Sequence, residues 1–172
     1  MNAGAFGAEM KDRVHSVRIL NQAGRVEERD GGSLRFGYRR LNLPEREVIL
    51  GGTFRLQAGS SRLIKSRVQE ILCRRMNQQP ADLPSAGSVF KNPEGLAAGR
   101  LIEESGLKGS RIGNAQVSEK HANFIVNLGG ASARDIGDLI ARIQEQVLQV
   151  QGIRLEMEIL VMGEEKRGAD GP

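Results

Sequence analysis

Residues 132–162, SARDIGDLIARIQEQVLQVQGIRLEMEILVM, decide the fold class of this chain. Apolar residues recur at helical spacing through the first part of this stretch, which predicts a helix with one buried stripe. Ser132 can cap its start, because the carboxylate of Asp135 can reach back to the cap N–H. Gly152 predicts the helix end, and residues 153–162 then predict a strand. A helix with a core-facing stripe followed at once by a strand favours helices packed on a sheet.

Upstream of that stretch, β patterns come first and helical patterns follow. Residues 13–29 alternate apolar and polar positions around the turn sequence NQAG, and residues 47–57 form another apolar run, so a hairpin and a further strand are expected. Helical spacing predicts a helix over 60–75. The small-residue segment 85–95, SAGSVFKNPEG, predicts a loop, and residues 96–105 predict a short helix.

Two short strands are expected around 114–117 and 123–127, before the long helix. From residue 60 onward the order is therefore helix, loop, helix, strand, strand, helix, strand. That order predicts the α+β class, with a small mixed sheet and packed helices after a β-rich opening region.

The composition narrows the classes of function. Of 172 residues, 39% are apolar and 27% charged, as in ordinary soluble domains, whereas 3% aromatic residues are too few for a base-stacking nucleic-acid surface. Cys73 is the only cysteine, and His15 and His121 are far apart, so neither a disulfide framework nor a metal site is expected. Without a long apolar run or a signal-peptide pattern, a cytoplasmic protein with no membrane or nucleic-acid partner is expected. The net charge of +4 fits either a mildly basic surface or a site for an anionic small molecule.

Three segments carry polar groups that could form a site. In residues 85–95 the small side chains leave the backbone uncrowded, and Lys91 and Asn92 could hold an oxyanion or phosphate, although a polar connecting loop has the same composition. Arg39, in FGYRR, is a second candidate. Glu156 and Glu158 share one face of the predicted last strand, which would be either a solvated face or the wall of a site.

These motifs together resemble a known family. Residues 83–140, with AGSVFKNP and QVSEKHANFIVN, followed by RLEMEILVMG, resemble the UDP-N-acetylenolpyruvoylglucosamine reductases (UDP-N-acetylmuramate dehydrogenases), and MNAGAFGAE and FGYR match the same family upstream. In that family MNAGAFG lies in mid-chain, behind a domain that contains the glycine-rich flavin diphosphate loop. The resemblance therefore implies a C-terminal portion that lacks most of the FAD-binding domain. It implies that residues 1–58 are a remnant of that domain, 59–163 the C-terminal substrate-binding domain, and 164–172 a disordered tail.

The resemblance implies an oxidoreductase of peptidoglycan precursor synthesis, and hence a part in cell wall biogenesis, cell shape and cell division. The family's enzymes are flavoproteins that take hydride from NADPH onto FAD and reduce UDP-N-acetylglucosamine enolpyruvate to UDP-N-acetylmuramate. Because this chain would hold an incomplete FAD site, a separate flavin-binding half is a candidate partner. Two alternatives stay open, a non-catalytic module that binds a UDP-sugar and an inactive remnant.

The resemblance also implies site residues. Ser88 matches the family's general acid, while Arg39 and Glu158 match the pair that stabilises the enol or enolate. A cation beside a developing enolate is the expected electrostatic device. Leu41 stands where the family usually carries Ser, a local departure close to Arg39. The other implied residues are Asn92, Lys91, Lys120, Arg74 and Arg75 for the substrate, and Asn2, Gly4 and Gly7 for the cofactor.

Overall fold

The computed structural model describes residues 1–163. The tail expected at 164–172 lies outside the described residues. The chain divides into two compact units, Met1–Ile64 and a second unit from Lys65 onward. The sequence placed a division between residues 58 and 59, and its assignment of the two parts to a flavin-binding remnant and a substrate-binding domain stays a prediction.

The first unit consists of short antiparallel strands. The hairpin predicted at 13–29 is confirmed, because residues 16–20 pair in register with residues 26–30. The strand predicted at 47–57 is also confirmed, and it pairs with the other edge of the same central strand. The strands of this unit are β1 (Gly4–Ala5), β2 (Ala8–Glu9), β3 (Val14–Leu20), β4 (Val26–Asp30), β5 (Arg35–Gly37), β6 (Arg40–Asn42) and β7 (Val48–Phe54).

The central strand β3 carries the small core of this unit. Its Val17 and Ile19 are buried, and the three-stranded sheet has the order β4-β3-β7. β1 pairs with β2 and β5 pairs with β6 as separate two-stranded hairpins. Single 3₁₀ turns at Met10–Asp12 and Gly31–Ser33 connect these pieces.

The second unit packs helices on a four-stranded antiparallel sheet of order β8-β11-β10-β9. Among the described residues, its core has fifteen buried members, which come from the sheet, from two helices and from the segments next to them. The α+β class is confirmed, with antiparallel pairing where the sequence suggested a mixed sheet. The helix α1 (Ser61–Gln78) begins in the first unit and continues into the second. The other elements of the second unit are β8 (Ser85–Ser88), α2 (Ala98–Glu104), β9 (Arg111–Ile112), β10 (Ala115–Val117), β11 (Phe124–Asn127) and α3 (Ala133–Gln151).

The helix α3 forms as its local signals predict. Ser132 accepts a hydrogen bond from the Asp135 N–H at 3.0 Å, and the Asp135 carboxylate accepts one from the Ser132 N–H at 2.9 Å. These bonds hold the pKa of Asp135 below its usual value. Gly152 ends the helix in the left-handed conformation, with φ of 69°. The buried stripe is Leu139, Ile140, Ile143 and Val147.

Two local predictions in this unit are wrong. Residues 85–88 were expected in a loop, but they form β8 and pair with β11. The prediction failed because the small side chains give no periodic signal and the partner strand lies almost forty residues away. Residues 153–162, expected as a strand, contain only one bridge, between Met157 and Phe90. Their partner segment is short, because Pro93 follows it and has no N–H to extend a ladder.

None of the helices within residues 1–163 combines the length and the apolar character that crossing a membrane requires.

Candidate functional site

Ser88 lies at the end of β8, half-buried, between two cavities of the second unit. It pairs with Phe124 of β11, so the sheet fixes its backbone. The larger cavity has a volume of about 560 Å³ and the smaller about 290 Å³. A hydroxyl that lines both cavities can reach a ligand that occupies either of them.

The larger cavity combines an apolar wall with one cation. Leu72 and Met76 of α1 face Phe124 of β11, and Arg75 from the same helix turn lines the cavity as well. Both Arg75 and its neighbour Arg74 are exposed. Of these two arginines implied for the substrate, Arg75 lines the cavity that Ser88 also lines, and Arg74 does not. The remaining lining residues are Gln79, Pro80, Ala81, Ser85 and Gly87.

The smaller cavity is polar, and His121 forms part of its wall. Burial lowers the pKa of His121, which favours the neutral ring near neutral pH. Its Nδ1 accepts a hydrogen bond from the Asn123 N–H at 3.2 Å, so the neutral ring carries its proton on Nε2. A Cβ at Gly99 would stand 3.0 Å from the Cε1 of this ring, so a side chain at position 99 would crowd His121. The other lining residues are Ser88, Asn92, Ala97, Arg100, Glu103, Lys120, Ala122 and Asn123.

Lys120 connects this cavity to the end of α1. Its Nζ donates to the Met76 carbonyl oxygen at 2.8 Å. Cations are favourable there because the last carbonyls of a helix have no partner within the helix. Lys120 is therefore placed near both cavities, with part of its hydrogen-bonding capacity already used.

Asn123 fixes the segment that follows Ser88. Its side chain is 4% exposed. Its carboxamide accepts a hydrogen bond from the Phe90 N–H at 2.9 Å and donates one to the Phe90 carbonyl at 2.8 Å. The Val89 N–H donates to the Asn123 carbonyl at 2.8 Å. These three bonds hold the chain beyond β8 at a fixed distance from the start of β11.

Glu158 is brought next to the Ser88 segment. Its backbone N–H donates to the carbonyl of Val89, the residue after Ser88, at 2.8 Å, and its side chain is half-buried. Glu156 is different, since its exposed carboxylate forms an ion pair with Lys91 at 2.9 Å. The two acids of LEME thus have separate environments, and the charge of Lys91 is neutralised by Glu156.

Asn92 has a structural contact at the start of α2. Its side-chain oxygen accepts a hydrogen bond from the Ala98 N–H at 3.0 Å, one of the donors that the helix itself leaves unpaired. The residue also lines the smaller cavity.

Arg39 belongs to the first unit, in the turn between β5 and β6. Its backbone is left-handed, with φ of 52°, which is uncommon for a residue other than glycine. The guanidinium carbon lies 5.1 Å from the centre of the Tyr38 ring. A side chain at Gly4 would come within 3.3 Å of the Arg39 Nη1. Gly7 occupies the β1–β2 turn with φ of 80°.

Sequence patterns did not assign a role to His121 or Asn123. Both lie in the turn SEKHAN between β10 and β11. Asn123 bonds to Phe90, which lies thirty-three residues away, whereas the ring of His121 contacts its near neighbours Asn123 and Phe124. A buried asparagine and a surface-turn asparagine give the same sequence signal, so only the pairing of β8 with β11 distinguishes them. Within residues 1–163, no three His, Cys, Asp or Glu side chains are grouped so that they could hold a metal ion.

Comparisons with known proteins identify the family. Residues 79–162 match the family described as "UDP-N-acetylenolpyruvoylglucosamine reductase, C-terminal domain". A UDP-N-acetylenolpyruvoylglucosamine reductase of Syntrophus aciditrophicus is 48% identical over 96% of this chain and 53% of its own length. The corresponding protein of Geobacter metallireducens is also 48% identical, over 96% of this chain and 55% of its own length.

A solved structure agrees with these sequences. The crystal structure of the UDP-N-acetylenolpyruvylglucosamine reductase from Thermus caldophilus matches with a TM-score of 0.80 and 39% identity, over 91% of this chain and 56% of that one. The chain spans about half the length of the relatives that it matches. It belongs to the UDP-N-acetylenolpyruvoylglucosamine reductase family, and it corresponds to the C-terminal portion of that family's proteins.

Proposed function

We propose that this chain provides the substrate-reducing groups of an NADPH- and FAD-dependent reductase that converts UDP-N-acetylglucosamine enolpyruvate to UDP-N-acetylmuramate. Family membership supports the reaction class. The observation that carries the assignment to these residues is the position of Ser88. Its hydroxyl lies at the wall of two cavities, beside the segment of Glu158.

Reduction of the enolpyruvyl double bond needs one hydride and one proton. As hydride adds to the terminal carbon, the electron pair of the double bond moves toward the carboxylate and forms an enolate. Ser88 then donates its hydroxyl proton to the carbon that bears the carboxylate, as a positioned general acid. The resemblance assigns Arg39 and Glu158 to the stabilisation of the negative charge that develops on the enolate oxygen, with Glu158 acting in the protonated form or through a water. A bare carboxylate would repel that charge.

The substrate's diphosphate and carboxylate need cations. Arg75 and Lys120 are the best placed of the implied residues, because Arg75 lines the cavity that Ser85 and Ser88 line, and Lys120 lines the smaller one. A guanidinium can bind a phosphate through two parallel hydrogen bonds. Lys91 contributes less, since a substrate would have to displace Glu156 from it.

We propose that the FAD site is incomplete in this chain. Within residues 1–60 the backbone contains strands and 3₁₀ turns but no α-helix whose N-terminus could receive a diphosphate. Gly7 is compatible with a flavin ring, since no atom lies within 4 Å of where its Cβ would stand. When bound, FAD would supply to the substrate the hydride that it takes from NADPH. A separate flavin-binding half remains the partner that we propose for this chain.

The same observation supports a second candidate, a module that binds the UDP-sugar without redox chemistry. The cavities around Ser88 lie within the second unit, so a ligand could bind there without flavin. Binding alone therefore tests the part of the proposal that both candidates share.

Thermal unfolding of the 172-residue chain with UDP-N-acetylglucosamine enolpyruvate provides that test. A ligand at 100 times its Kd adds about 2.7 kcal/mol to the free energy of unfolding, which raises the melting temperature by roughly 10 °C in a unit of this size. Arg75→Ala should reduce the shift, and Arg74→Ala, at the exposed neighbouring position, is the matched control. A folded chain whose melting temperature does not respond to high ligand concentration contradicts both candidates.

A further inference from the structure

Asn2 is buried completely, and its carboxamide bonds only to the protein's own chain. Its Nδ2 donates to a Glu9 carboxylate oxygen at 2.9 Å and to the Gly37 carbonyl at 3.1 Å. Its Oδ1 accepts a hydrogen bond from the Lys11 N–H at 3.0 Å. An asparagine amide has two N–H donors, and both are used within the first unit. The side chain therefore has no donor left for a cofactor, although the resemblance implies cofactor binding at this position.

The contact at Gly37 fixes the turn that carries Arg39. Gly37 pairs with Arg40 at the base of the β5–β6 hairpin, and Tyr38 and Arg39 form its two-residue turn. The left-handed backbone of Arg39 is unfavourable for a residue with a side chain and persists only where its surroundings hold it. The bond from Asn2 reaches the residue at which this turn begins, so it joins residues 1–12 to the turn.

Gly4, in β1, lies next to the guanidinium of Arg39. A Cβ at Gly4 would lie 3.3 Å from the Arg39 Nη1 and 3.2 Å from the Ala8 carbonyl oxygen. A side chain at Gly4 would crowd the guanidinium, so glycine at this position lets the Arg39 side chain lie close to β1. The Nε of Arg39 is buried in this position.

We propose that Asn2 and Gly4 are positioning residues that hold the guanidinium of Arg39 in a fixed orientation. Asn2 anchors the turn and Gly4 provides the surface on which the guanidinium lies. The sequence motifs MNAGAFG and FGYRR, which the resemblance implies for cofactor and for catalysis, thus form one structural piece. That this orientation serves enolate stabilisation rests on the function proposed for Arg39.

Hydrogen exchange of the Arg39 Nε–H, followed by NMR on the arginine-labelled 172-residue chain and assigned with Arg39→Lys, tests the positioning directly. Asn2→Ala should speed this exchange by about tenfold or more, the change expected when hydrogen bonds that close a local structure are lost. The backbone amides of β3 should change less. Asn21→Ala is the matched control, because its carboxamide also makes three hydrogen bonds in the first unit, at the β3–β4 turn, and it should leave Arg39 at the wild-type rate.

If Asn2→Ala and Asn21→Ala speed the exchange equally, the effect is general loosening and the proposal is overturned. If Asn2→Ala unfolds the unit, Gly4→Ala decides. It leaves the Asn2 side chain in place, while its Cβ would stand 3.1 Å from the Glu9 Cγ and 3.3 Å from the Arg39 Nη1. This variant should displace the Arg39 side-chain resonances with the β3 amides unchanged, whereas unaltered Arg39 resonances overturn the proposal.

A kinetic measurement separates this inference from the proposed function. In the chain joined to a complete flavin-binding domain, Asn2→Ala should lower kcat for substrate reduction with a small change in KM, as expected when an interaction of the transition state is misplaced. If Arg39→Ala itself leaves kcat unchanged, the role of Arg39 in the reaction is refuted, while the exchange result still supports its positioning by Asn2.

Discussion

Asn123→Ala tests how the segment after Ser88 is held. The wild-type carboxamide satisfies both the N–H and the carbonyl of Phe90, at 2.9 and 2.8 Å, in a buried location. Alanine leaves these two backbone groups without their partners, and a buried unsatisfied group costs about 1–3 kcal/mol. Water that enters the space left by the side chain recovers part of this cost. We therefore expect the free energy of unfolding to fall by about 2–4 kcal/mol.

Urea denaturation followed by circular dichroism measures this loss, and the melting temperature should fall by roughly 10–20 °C in a unit of this size. Asn127→Ala is the matched control, because its side chain also makes two hydrogen bonds, to the N–H groups of Gly129 and Ala131 in a more exposed turn. There the backbone can bond to water instead, so about 1 kcal/mol or less is expected. Equal losses of free energy in the two variants would contradict this expectation, since burial of the Phe90 backbone groups would then make no difference.

Two further predictions concern the same unit. Burial lowers the pKa of His121 below 6.5, so the contribution of this residue to stability is complete above pH 6.5 and is lost as the pH falls through the lowered pKa. Urea titrations at several pH values give the free energy of unfolding against pH, and His121→Gln should flatten its fall at acid pH. An unaltered fall in this variant would contradict the prediction. Gly113→Ala should be strained in two ways. Its Cβ would stand 2.5 Å from the carboxyl group of Asp135, which bonds to Ser132 in the cap of α3, and its backbone has a φ of 54°. We expect the free energy of unfolding, measured by urea denaturation, to fall by about 2–3 kcal/mol. For Gly106→Ala, where φ is 73° but the space is open, we expect a fall of about 1–2 kcal/mol. Similar falls in the two variants would show that the clash at Gly113 is relieved without cost.

The parts of the fold that local signals determine could be predicted from the sequence. α3 has an apolar stripe, a capping box and a terminal glycine within twenty-one residues, and all three act on the helix itself. The β3–β4 hairpin has alternation and a turn sequence. β8 could not be predicted, because Ser85–Ser88 become a strand only through pairing with β11, and the four small residues have no periodic pattern of their own.

In the candidate site, too, the sequence could indicate individual residues but not their surroundings. Recognisable motifs indicated Ser88, Arg39 and Glu158, but their surroundings depend on contacts far apart in sequence. The difference between Glu156 and Glu158 arises from the ion pair with Lys91, which lies sixty-five residues away. The roles of His121 and Asn123 follow from β11 lying beside β8, and no residue in SEKHAN signals that neighbour.

We propose that Ser88 delivers the proton in substrate reduction, and a comparison of two serine variants tests this role. In the chain joined to a complete flavin-binding domain, Ser88→Ala should slow flavin reoxidation by UDP-N-acetylglucosamine enolpyruvate by roughly 100-fold or more, the scale of a positioned general acid, while flavin reduction by NADPH stays nearly unchanged. Ser85→Ala is the matched control, because Ser85 begins the same strand and lines the same larger cavity, and its effect should be small. If the two variants slow reoxidation equally, or if Ser88→Ala reoxidises at the wild-type rate, Ser88 is not the proton donor.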